Sequence, residues 1–114
     1  MIEGLWSISF STVDQPQTDV GAGVVVFETQ RIFGGDSSYF YIGNYSITKE
    51  NQIKADVSVN HYYGQPLSIF GPLAKCTIII NGSITVDEFH AQGYVKENPL
   101  LKLMVNFVKR AELP

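Results

Sequence analysis

Cysteine is almost absent from this 114-residue chain. Cys76 stands alone, so no disulfide forms within the chain, and a reducing compartment is expected. Basic blocks are missing too: 8 Lys and Arg stand against 11 Asp and Glu, a formal net charge of −3. Phosphate backbones need clustered Lys and Arg, so direct nucleic-acid binding is excluded. No apolar run is long enough for a membrane span, and the opening MIEGLWSISF lacks the basic flank of a signal peptide. A cytoplasmic location with no membrane contact is the expectation. No amphipathic stretch of ten residues at the helical period occurs, nor any solenoid repeat or heptad.

What is present is a period of two. Trp6, Ile8 and Phe10 alternate with serines across 5–12, and 20–28 continues with VGAGVVVFE. A short third strand covers 31–33, a fourth 39–47 and a fifth 53–63, in which Ile53, Ala55, Val57 and Val59 share one face. Pro66, Pro72 and neighbouring glycines make 64–75 a crossing loop. Strands at 76–86, 87–95 and 100–110 complete the chain, with turns at 48–52 and 96–99. Eight strands in one domain spanning 1–114, most joined by short turns, predict antiparallel sequential neighbours. Such a sheet closes best as an all-β, eight-stranded, up-and-down barrel, because closure removes its edges. The interior of an eight-stranded barrel is filled by side chains or holds one small ligand. The residues predicted to line it are Ile53, Val57, Val59, Ile78, Ile80, Leu103, Val105 and Phe107.

Catalytic and metal motifs are not found. A zinc-type site needs three or four ligands, and His61, Cys76 and His90 show no paired spacing. Cys76 lacks a local activating motif and reads as a buried thiol; Asp87 and Glu88 read as a solvated turn. No enzyme, metal or cofactor is expected. Gly34-Gly35-Asp36 has the letters of a phosphate cradle, but a strand follows where a helix would be needed. It is expected to be a corner between the third and fourth strands, with the glycines supplying positive φ and Asp36 accepting from nearby backbone N–H groups. Tyr39, Tyr41 and Tyr45 share one parity. They form either a half-buried packing stripe or a partner surface, since tyrosines suit interfaces. If the barrel closes, Arg110 on the last strand is positioned to stack on Trp6 of the first.

These pieces in this order resemble a small bacterial family, the GrlR-like negative regulators of type III secretion. The resemblance rests on GLWSISF, GAGVVVF, GGDSSYFYIGNY, IKADVSVNHY, SIFGP, CTIIINGSI and VKRAELP, with GGDS followed by Tyr and Gly the most specific. It implies a calycin-like, lipocalin-like barrel, often a homodimer, without catalysis, whose role is to bind and inhibit a transcriptional activator. A lipid-like ligand in the barrel is the alternative. The regulator branch carries an acidic hairpin after its fourth strand. Here that hairpin reads Thr48-Lys49-Glu50-Asn51-Gln52, with no net charge. The candidate partner surfaces are therefore Lys49, Glu50, Asn51 and Gln52, and the tyrosine face.

Overall fold

The alternation is realised as a closed antiparallel barrel in which each strand pairs with its sequence neighbour and the last returns to the first. The computed structural model describes residues 2–13, 19–65 and 75–114. The strands are β1 (Gly4–Thr12), β2 (Asp19–Glu28), β3 (Arg31–Gly35), β4 (Tyr39–Ile47), β5 (Gln52–His61), β6 (Lys75–Ser83), β7 (Glu88–Val95) and β8 (Asn98–Ala111). The eight-stranded up-and-down architecture expected from the sequence is the one observed. Most of the expected crossing loop, 66–74, lies outside the described residues.

Boundaries moved where turn chemistry was misjudged. The expected turn at 96–99 shrinks to two residues, Lys96 and Glu97, and β8 begins at Asn98. A register shift between Tyr94 and Val95 absorbs Pro99, which cannot donate to a ladder. Ile84 to Val86 leave the ladder and form part of the β6–β7 turn.

The larger correction concerns Gly34 and Gly35. Both lie inside β3, paired with Tyr41 and Phe40, and neither has positive φ. Their need is space. A Cβ on Gly34 would overlap the Val24 carbonyl oxygen and sit 2.7 Å from Val25 Cα. The corner itself is Asp36-Ser37-Ser38. There the expectation for Asp36 holds: its Oδ1 accepts from the backbone N–H of Ser38 and of Tyr39, each at 2.8 Å.

One end of the interior is plugged by aromatic rings. Trp6, fully buried, meets Phe27 edge-on at 6.0 Å and Phe89 at 5.2 Å. Phe89 stacks on Phe107 at 4.5 Å, and Phe27 meets Tyr45 edge-on at 5.2 Å. Each such pair adds about 0.5–1.5 kcal/mol beyond its buried area. The indole N–H donates to the Ile2 carbonyl at 2.7 Å, which ties the segment before β1 to the plug.

The cation over Trp6 is Lys109, not Arg110. In β8, residues 105, 107 and 109 face inward, and the regular β1–β8 register that pairs Ile8 with Phe107 sets Trp6 opposite Lys109. The Lys109 ammonium stands 5.9 Å from the indole centre and 2.7 Å from the Glu112 carboxylate. Arg110 points outward and donates to Ser7 Oγ at 2.8 Å. One residue along a strand exchanges the two faces.

Candidate functional site

Inside the barrel, a cavity of about 60 Å³ is lined by all eight residues expected there: Ile53, Val57, Val59, Ile78, Ile80, Leu103, Val105 and Phe107. Its walls are otherwise mostly apolar, with Asp36 at one edge. Cavities of about 150 Å³ hold benzene. The interior is thus largely filled, and a lipid tail does not fit without repacking.

Tyr39, Tyr41 and Tyr45 are also interior residues, 1, 5 and 8% exposed, so they form no partner surface. Tyr41 donates its hydroxyl hydrogen bond to Asp36 Oδ2. Burial, and then that bond, push the Tyr41 phenol up from its ordinary value. Burial likewise pushes the Tyr45 phenol up. Cys76, opposite Val59, is buried, and its thiol is pushed up to about 11 by burial and then by the Glu97 carboxylate. A thiol so placed is a poor nucleophile. The His61 ring leans on Tyr39 at 5.2 Å with its Nε2 buried, while His90 lies exposed on β7. Among the described residues no His, Cys, Asp and Glu group could hold a metal ion.

The turn 48–51 with Gln52 is exposed and well built. Thr48 N–H donates to Gln52 O at 2.9 Å, and Asn51 N–H to Thr48 O at 3.1 Å. Asn51 adopts φ +58°, which its short polar side chain tolerates. Lys49 and Glu50 extend into solvent.

The exposed apolar surface lies on the opposite parity of the strands the tyrosines occupy. The ladders align Leu5, Val26, Phe33 and Ile42 in one row across β1 to β4. A second row runs through Val24, Gly35 and Phe40, and Tyr62 sits 6.2 Å from the Phe40 ring. Val24, Phe33, Phe40 and Ile42 are each 40–48% exposed. The Arg31 guanidinium stands 5.2 Å over Phe33. The stripe ends where β5 turns Lys54, Asp56, Ser58 and Asn60 outward and β1 turns Ser7 and Ser9 outward. Contiguous apolar surface of this kind marks interaction sites.

Sequence reasoning left the tyrosine parity open between packing and a partner surface, and passed over this one. The signal was available: β2 and β4 are apolar on both parities, as VVVF and YFYI show. A strand apolar on both faces is either covered on both or docks something. No known protein family matches this sequence, and no curated protein matches it. The barrel is consistent with a calycin-like fold.

Proposed function

We propose that this barrel is a non-enzymatic regulatory protein that acts in the cytoplasm by binding other proteins. The functional analogy is to the negative regulators of type III secretion it resembles, with a transcriptional activator as the partner. The observation that carries the reading is the apolar stripe of Val24, Phe33, Phe40 and Ile42 on the outer wall. Closing the barrel requires no such surface, since the strand edges are already paired and the core is inside. A homodimer formed through this wall leaves the Lys49–Gln52 turn open to a further partner. The carrier reading has less support, because the internal cavity is only about 60 Å³.

Sedimentation velocity on the wild type and on the double variant Phe33→Ser/Ile42→Ser tests this. The wild type is expected to sediment as a dimer and the variant as a folded monomer with an unchanged circular dichroism spectrum. A wild type that stays monomeric at hundreds of micromolar removes the self-association. Undiminished activator binding by the double variant removes the wall as the partner surface.

A further inference from the structure

The end of the barrel beyond the aromatic plug opens into a bowl of about 780 Å³. The β2–β3, β4–β5 and β6–β7 turns and the segment before β1 form its sides, and Tyr45 belongs to its lining. That volume falls in the range of small-molecule sites, about 300–1,000 Å³. Tyr45 also packs on Phe27, so the plug separates the bowl from the small internal cavity.

We propose that this bowl binds a small organic cation, an amine carrying an apolar body, with Glu3 as its counter-charge. Ile2, Ile47, Ile84 and Val86 supply apolar wall. Val86, 81% exposed, and Ile47, 41% exposed, stand at turns where polar residues are the norm. Glu3 is the only charged residue among the described lining residues. Its Oε2 accepts the Thr29 N–H at 2.8 Å, which pins the carboxylate half-buried at the rim. An ammonium beside it gains a charge-assisted hydrogen bond while its carbon body covers the isoleucines and Val86. The chain's net charge of −3 favours cations over anions at any opening.

The bowl is also pre-formed. Tyr45 N–H donates to Gln30 O at 3.0 Å, Ile84 N–H to Asn51 O at 2.9 Å, and Gln52 Nε2 to Ser83 Oγ at 2.7 Å. Thr29 and Gln30 make up the β2–β3 turn with φ +50° and +66°. Neither residue suits that region, and a β-branched threonine suits it least. Strain of this kind persists where the surroundings impose it, and it gathers at ligand clamps. The two-residue hairpin between Glu28 and Arg31 imposes it here, and Glu3 holds the Thr29 N–H from 26 residues away.

The test is a ¹H–¹⁵N NMR titration with hexylammonium chloride, with 1-hexanol and sodium hexanoate as the neutral and anionic counterparts. Hexylammonium is expected to shift the amides of Thr29, Asn51 and Ile84, and to bind about ten-fold more tightly than hexanoate. Glu3→Gln, which keeps a carbonyl acceptor for the Thr29 N–H, is expected to bring the two within about two-fold while leaving hexanol unchanged. Equal binding of the three probes to the wild type, shifts confined to the outer wall, or no binding by any probe would overturn the proposal. The bowl shares no residue with the Val24, Phe33, Phe40 and Ile42 wall, so Phe33→Ser/Ile42→Ser is expected to retain the selectivity.

Discussion

The Tyr41 hydroxyl bonds to the Asp36 carboxylate from five residues away, and the two close the β3–β4 corner from inside the barrel. The Asp36 carboxylate accepts three hydrogen bonds, from Ser38 N, Tyr39 N and Tyr41 Oη. Gly23 leaves room for the pair: a Cβ there would sit 3.1 Å from the Tyr41 hydroxyl and 3.2 Å from Asp36 Cβ. Asp36→Ala is expected to cost about 3 kcal/mol, since it orphans two backbone donors and a phenol. Tyr41→Phe removes one bond and is expected to cost about 1–2 kcal/mol. Urea unfolding of both variants and their double is the check, with a coupling of about 1 kcal/mol between them expected.

Alkaline pH separates the buried groups by titration. Cys76 has its folded value raised from 9.0 to about 11, so the proton is held more firmly in the folded chain. Its contribution to stability is complete below pH 9.0 and is lost as pH rises through about 11. Tyr41 is raised above an ordinary value of about 10, so its contribution declines only above that pH. Thermal unfolding is expected to show a fall in stability beginning near pH 9, shallower between 9 and 11 in Cys76→Ala. A profile identical to wild type in that variant contradicts the assignment. Iodoacetamide at neutral pH is expected to leave Cys76 unmodified until the chain unfolds.

Two glycines answer different needs, and alanine separates them. Gly34→Ala drives a methyl into the Val24 carbonyl of the neighbouring strand and is expected to cost at least about 3 kcal/mol, or to prevent folding. Gly64 has φ +72°, but a Cβ there meets nothing closer than Ser38 Oγ at 3.6 Å. Gly64→Ala is expected to cost only the conformational penalty, about 1 kcal/mol. Comparable losses at the two positions would show that crowding does not govern Gly34.

Relieving the strained turn is expected to stabilise the fold. Thr29→Asn with Gln30→Gly installs the residues a two-residue turn with positive φ at both positions prefers. A gain of about 1–2 kcal/mol is expected, read as a raised Tm. A lowered Tm would mean that contacts of the native side chains outweigh the strain.

The single tryptophan reports on the barrel's closing seam. Lys109→Ala removes the cation over Trp6, and a change in indole fluorescence is expected. Arg110→Ala, whose side chain bonds to Ser7 outside the barrel, is expected to leave that emission unchanged. The opposite pattern would restore Arg110 as the stacking partner.

Much of the fold was legible because alternation at period two needs no knowledge of the partner strand. Ile53, Ala55, Val57 and Val59 read as one face and are one face. Legibility failed where both parities are apolar. In β4 the alternation contrasts tyrosines with Phe40 and Ile42, and side-chain chemistry alone does not say which set is inside. It failed again at Arg110, because the β1–β8 register that sets Lys109 opposite Trp6 is fixed only when the barrel closes.

The bowl was not legible at all. Ile2, Thr29, Ile47 and Ile84 share no pattern along the chain, and only closure brings them to one rim. Strand number, order and the hydrophobic lining follow from local periodicity and turn chemistry, which act over a few residues. Inside versus outside for β4, the space that Gly34 must leave, and the meeting of Glu3 with Thr29 depend on which strands become neighbours. That choice is made by closure of the whole sheet and the packing of its core, a cooperative property that no single segment carries.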